Sequence, residues 1–113
     1  PQKLFDTVDM LVVPSQAPES FGLVAAEAMS ARVPVIVSDA GALPEVVGED
    51  YPYIYPAQDP SALVEKIRHL TQAFYQESDN LNDIISAAFW RWQELYSPDS
   101  GRERVRHLLE KYL

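Results

Sequence analysis

Met10-Leu11-Val12-Val13-Pro14 and Pro34-Val35-Ile36-Val37-Ser38 are the two stretches that decide the fold. Each is a short, unbroken apolar run rich in β-branched residues. Such runs suit strands covered on both faces, as in a parallel sheet. Between them, Phe21 to Arg32 is rich in Ala, Leu and Met, all good helix formers. Strand, helix, strand in this order implies parallel strands joined by a right-handed crossover.

The alternation continues outward. Gly41 to Gly48 predicts a short helical turn, with Pro44 suited to a first helical position and Gly48 to the stop. Tyr53-Ile54-Tyr55 reads as a third, weaker strand. Asp59-Pro60 is a helix start, a carboxylate cap followed by a proline. Leu63, Ile67, Leu70 and Phe74 then recur at helical spacing and predict one face laid on the sheet. After a polar break from Glu77 to Asn80, a second long helix carries Leu81, Ile85, Ala88, Phe89 and Trp92. Ser97-Pro98 opens a last helix with Val105, Leu108, Leu109 and Tyr112 on one side. The predicted fold is α/β: the second half of a Rossmann-like, doubly wound parallel sheet, about three strands, with C-terminal helices. One sheet edge is expected to be open, around Val12 or around Ile36, and an open apolar edge invites pairing with a second copy or a partner. The chain begins with Pro1 and enters a helix-like stretch from Lys3 to Val8 almost at once, so it reads as a piece of something longer.

Composition narrows the function. The chain has 113 residues, 47% hydrophobic and 23% charged, which excludes disordered and low-complexity classes. Without cysteine it has neither disulfides nor thiolate metal sites. The longest uncharged stretch, Met10 to Pro18, has nine residues, too few for a membrane-spanning helix. Nine Lys and Arg against seventeen Asp and Glu give −8, which argues against a nucleic-acid surface. Residues 1–50 hold two of the bases and eight of the acids. An anionic ligand of this half must therefore be held mainly by backbone dipoles, or by cations from outside the chain.

The stretch Ser15-Gln-Ala-Pro-Glu19-Ser-Phe21-Gly22-Leu23-Val24-Ala-Ala-Glu27 is placed where such a ligand binds. It leaves the carboxyl end of a buried strand and opens a helix. The first amides of that helix lack intrahelical partners and carry partial positive charge, which suits a phosphate, and Gly22 allows close approach to the backbone. Glu27 lies five residues beyond Gly22, roughly 7–8 Å along the helix axis. That distance matches a ribose attached to a diphosphate at the tip, whose two hydroxyls a carboxylate accepts. Glu19, before the helix, is placed to accept sugar hydroxyls on the other side. The plain alternative is that Glu27 is a solvated residue favouring the helix dipole and Glu19 a surface loop residue.

These residues resemble the C-terminal domain of retaining GT-B glycosyltransferases of the group 1 (family 4) class. The likeness runs through Pro14-Ser15, Glu19, Phe21-Gly22-Leu23, Glu27-Ala28-Met29, Pro34-Val35-Ile36, Gly41 to Val47 and Pro56 to Pro60. It implies that residues 1–113 are the C-terminal portion of a donor-binding, Rossmann-like domain. It also implies transfer of a hexose-type sugar, with retention, from a UDP- or GDP-sugar to a glycan or lipid-linked acceptor in polysaccharide or glycolipid synthesis. By the same likeness Glu19 belongs to the catalytic centre and contacts the donor sugar. Phe21, Gly22, Leu23 and Val24 line the sugar and diphosphate through their backbones, Glu27 holds the ribose, and the loop at Gly41 faces the same cleft. No metal and no cofactor are implied. The acceptor site, the base pocket and an Arg and a Lys for the diphosphate belong to parts of the family outside this stretch, so the isolated chain is expected to be inactive. A cytoplasmic location, peripheral at the inner membrane face, goes with that setting. Two departures stand out: the family has Gly where this chain has Arg32 and, often, where it has Ala40, which bears on local loop geometry.

Other residues are weighed against plainer roles. His69 and His107 each follow a Glu by four positions (Glu65, Glu103), which predicts surface ion pairs. Trp90 and Trp92 could form a sugar platform, but the spacing places Trp92 in the core and leaves Trp90 exposed. Tyr51, Tyr53 and Tyr55 alternate as packing residues. Arg102, Arg104, Arg106 and Lys111 are interleaved with Glu103 and Glu110 and read as a solvated helix face. Two rival functions remain: a separate, non-catalytic half that binds a partner through its open sheet edge, and another GT-B enzyme such as a sugar-nucleotide epimerase.

Overall fold

The apolar runs become strands and the periodic stretches become helices. The computed structural model describes residues 10–13, 20–96 and 110, with Ser20 and Phe21 described in backbone only. The expected Lys3–Val8 helix, the Ser15–Glu19 loop and all but Glu110 of the last helix lie outside those residues, as do His107 and the basic tail. Strands β1 (Leu11–Val13), β2 (Val35–Ser38) and β3 (Ile54–Tyr55) form a parallel sheet in the order β1-β2-β3. Val12 pairs with Ile36, Val13 with Val37 and Ser38 with Tyr55. Helices α1 (Ser20–Ser30), α2 (Leu43–Val47), α3 (Pro60–Tyr75) and α4 (Asp79–Leu95) complete the α/β architecture. Among the described residues, no helix is long and apolar enough to cross a membrane.

One expectation is corrected here. Ile36 does not form an edge: β2 is the central strand, hydrogen-bonded on both sides, and Ile36 is fully buried. Alternation along β2 explains why the whole strand is apolar. Val35 and Val37 point into a core built with Ala25, Ala28 and Met29 of α1 and Val46 of α2. Ile36 points the other way, to Tyr53, Tyr55, Leu70 of α3 and Leu81 of α4. Helix α4 serves both faces: Leu81, Ile84 and Ile85 pack on the second core, Ala88, Trp92 and Leu95 on the first.

Helix ends follow their sequence signals. The Asp59 carboxylate accepts the Ala62 N–H at 3.1 Å, and the Ser78 hydroxyl caps α4 by accepting the Leu81 N–H at 3.3 Å. At the end of α1 the Val33 N–H donates to the Ala28 carbonyl at 2.9 Å and the Arg32 N–H to Met29 at 3.2 Å. Arg32 has φ 59°, so the left-handed stop that glycine suits is kept with a side chain in place. The backbone strain costs about 1 kcal/mol. The Arg32 guanidinium lies 4.1 Å above the Phe89 ring, a contact that offsets about 0.5–1 kcal/mol. Phe89 therefore meets Arg32 at the rim rather than joining the α4 core stripe. Ala40, the other departure, has ordinary backbone geometry; the positive φ of that loop falls on Gly41.

Two further expectations change. Phe74 is 38% exposed and stacks edge-on against the exposed Tyr75, while Ala73 takes the inward position. Helix α3 spans roughly 24 Å against strands of about 13 Å or less, so its last turn overhangs the sheet. His69 does not pair with Glu65. Its Nδ1 lies 3.0 Å from the Tyr53 hydroxyl, and Glu65 instead pairs with Arg68 at 2.8 Å, both side chains well exposed.

The tyrosines do more than pack. The hydroxyl of the half-buried Tyr51 accepts the Val35 N–H at 3.1 Å and donates to the Val35 carbonyl. It stands in for a strand that β3 is too short to supply at the start of β2. Burial, partly countered by its hydrogen bond to Val35, pushes the Tyr51 phenol up to about 12, and burial also raises Tyr53 and Tyr55. Tyr51→Phe leaves both Val35 backbone groups unpaired and should cost about 2 kcal/mol. Because the folded-state value lies above the ordinary 10.0, the hydroxyl's contribution is complete below pH 10 and is lost as pH climbs towards 12. Urea unfolding at pH 7 and pH 11 should show a smaller alkaline loss in the variant than in the wild type; equal losses would exclude Tyr51 as a cause.

Candidate functional site

Parallel strands bring their carboxyl ends to one edge. Helix α1 follows β1 and α2 follows β2, so the amino tip of α1 and the loop 39–42 meet at that edge, and the two helices pack together. The first turn of α1 holds Ser20, Phe21, Gly22 and Leu23, and the N–H groups of Ser20, Phe21 and Gly22 precede the first intrahelical bond. Gly22 is buried, and Leu23 is 40% exposed, unusual for a large apolar side chain. Val24 is partly buried against the first core and carries the tip on firm packing. Ala25, Ala26, Ala28 and Met29 are all buried, so the remaining face of α1 is the one that carries Leu23 and Glu27.

Glu27 is half-buried in the second turn. No described residue bonds its carboxylate, while its backbone carbonyl accepts the Ser30 hydroxyl at 2.6 Å. Glu19 lies outside the described residues, as does the side chain of Phe21, so of the two acids expected to bracket the tip only Glu27 is among them.

The neighbouring loop is held by side-chain hydrogen bonds. Ser38 is fully buried and its hydroxyl accepts the Ala40 N–H at 3.3 Å. The Asp39 carboxylate accepts the Ala57 N–H at 2.8 Å, tying the loop after β2 to the loop after β3. Gly41 has φ 53°, and nothing lies within 4 Å of where a Cβ would be, so this loop presents bare backbone to open space.

The charges are elsewhere. Arg32 sits at the far end of α1, the Lys66 ammonium donates to the Pro52 carbonyl at 2.8 Å, Arg68 pairs with Glu65 on the exposed face of α3, and Arg91 lies against Gly48. None of these described cations is at the α1 tip, which leaves amide dipoles as the described attraction for an anion there. Two clefts, of about 450 and 340 Å³, lie at the opposite, amino edge of the sheet, around Gly48–Pro52 and around Tyr53, Lys66 and His69.

Arg91 escaped the sequence reading. Its Nε donates to the Val46 carbonyl at 3.1 Å and its Nη2 to the Glu45 carbonyl at 2.6 Å. Its sequence signal is an arginine between Trp90 and Trp92, on a helix that also supplies Ala88 and Leu95 to the core. A guanidinium beside a core face needs acceptors there, but nothing in the sequence names α2 as their source.

The amino tip of α1 and the glycine loop thus share one edge of a strand–helix–strand unit, and comparison with known proteins gives the family. The model for the family "Glycosyl transferases group 1" matches residues 1–87, and the chain belongs to that family. An uncharacterised glycosyltransferase of Methanocaldococcus jannaschii is 40% identical over 62 residues, covering 53% of this chain and 16% of the relative. A sulfoquinovosyl transferase of Arabidopsis thaliana is 29% identical over 110 residues, covering 76% of this chain and 21% of the relative. The chain thus spans only 16% and 21% of the length of these two curated relatives. No solved structure matches it.

Proposed function

We propose that the chain is the C-terminal portion of the donor-binding domain of a retaining GT-B glycosyltransferase. The complete enzyme moves a hexose-type sugar from a UDP- or GDP-linked donor to a glycan or lipid-linked acceptor, at the cytoplasmic side of a membrane. The observation that carries this reading is the family match across residues 1–87, which takes in Glu19, Phe21-Gly22-Leu23 and Glu27 in order. The position of Glu27 beyond the helix tip, the exposure of Leu23 and the open backbone at Gly41 support it.

In this reading the α1 amides receive the diphosphate. Charge grows on the nucleoside diphosphate as the bond to the sugar breaks, so dipoles already aimed at it help most in the transition state. Glu27 holds the ribose hydroxyls, and Glu19 orients the reacting sugar through its hydroxyls. Phe21, Gly22, Leu23 and Val24 contribute backbone, and no metal or cofactor is assigned a role. Cations that complete the diphosphate site, the base pocket and the acceptor site come from the rest of the enzyme.

The test is product stereochemistry. The complete enzyme is incubated with UDP- and GDP-hexoses and glycan or lipid-linked acceptors, and the anomeric proton coupling of the product is read by NMR. A glycoside with the donor's configuration is expected. Inversion removes the retaining assignment, and an epimerised sugar nucleotide without transfer removes the transferase reading.

A further inference from the structure

Helix α2 has five residues, far too few to hold itself together, and no side chain caps its amino end at Ala42. Its carboxyl end is gripped from outside. The Gly48 N–H closes on the Pro44 carbonyl at 2.9 Å. The next two carbonyls, Glu45 and Val46, take the forked donors of Arg91, and the Tyr96 hydroxyl adds a second donor to Glu45 at 3.2 Å. Gly48 is shaped for this contact: its φ is 98°, and a Cβ there would meet the guanidinium at 3.4 Å. A cation at this end also complements the helix dipole. The opposite end of α2, roughly 7–8 Å away, carries the Gly41 loop at the carboxyl edge of the sheet.

We infer that Arg91 is a positioning residue for the donor: it sets α2 from behind and so fixes the Gly41–Leu43 backbone opposite the α1 tip. The inference rests on the reading of that edge as the donor site. Lysine cannot replace the fork, because two successive carbonyls need two donors in one plane.

The test uses the complete enzyme with Arg91→Met, Arg91→Lys and, as a milder change, Tyr96→Phe, alongside Glu27→Ala. Donor and acceptor KM are measured well below the melting temperature, with amide exchange across residues 40–47. Arg91→Met should raise donor KM about tenfold, leave acceptor KM unchanged and speed exchange in the Gly41–Val47 segment. Arg91→Lys should lie nearer Arg91→Met than the wild type. Should Arg91→Met fail to fold, Tyr96→Phe should still raise donor KM about twofold, and no change there overturns the inference. A lower kcat that tracks folded protein with both KM values unchanged makes Arg91 structural only and overturns the inference. If donor KM rises in Glu27→Ala but not in Arg91→Met, the donor site stands and the inference alone fails. If Glu27→Ala leaves donor KM unchanged, the donor-site reading fails, and the positioning role fails with it even where exchange accelerates.

Discussion

Replacing Glu27 by alanine in the complete enzyme should raise the donor KM about 10- to 100-fold and change kcat far less. A carboxylate that accepts both ribose hydroxyls makes charge-assisted bonds, and losing them costs about 1.5–3 kcal/mol. In the proposed site the ribose is remote from the breaking bond, so its contact with Glu27 is nearly equal in ground and transition states and appears in KM. Folding should be almost untouched, within about 0.5 kcal/mol, since Glu27 is only half-buried and no described residue bonds its carboxylate. Glu27→Gln, which keeps an acceptor but loses the charge, should fall between. Steady-state kinetics with the donor varied at saturating acceptor reads the effect, and an unchanged donor KM would take Glu27 out of the site.

Ile36→Ala should cost about 3–4 kcal/mol of stability, against about 1 kcal/mol for Ile36→Val. Ile36 is shut off from solvent: it is 0% accessible and meets Tyr53, Tyr55, Leu70 and Leu81. Removing three carbons there leaves a cavity that a central strand, fixed on both sides by hydrogen bonds, cannot close. A small domain is stable by about 5–15 kcal/mol in total, so the loss is a large share. Urea unfolding followed by tryptophan fluorescence measures it. A cost below about 1 kcal/mol is what an edge residue would give, and would contradict the central position of β2.

Much of this arrangement can be read along the chain because its causes are local. Asp59-Pro60 and Ser78 start helices with their own side chains, Gly48 stops one with its backbone freedom, and the unbroken run Val35-Ile36-Val37 demands cover on both faces. The ordered set Pro14-Ser15, Glu19, Phe21-Gly22-Leu23 and Glu27 is legible along the chain too and lies within the stretch that the family match spans. Phe74 carries the helical spacing yet lies partly exposed, because periodicity reports a helix face but not where the sheet beneath it ends. Helical spacing offers Glu65 partners at both three and four residues, Arg68 and His69, and only the fold puts the Tyr53 hydroxyl beside the imidazole.

The order of residues by itself determined the strand–helix alternation, the caps, the family and the glutamate one turn beyond the helix tip. Each of these depends on backbone preference or on spacing within a single element. Only the tertiary structure decided that β2 is central, that the Tyr51 hydroxyl closes the ladder at Val35, and that Arg91 grips α2 across more than forty residues of chain. Those are contacts between elements, and their partners are backbone groups that every residue carries alike, so no side-chain pattern could announce them.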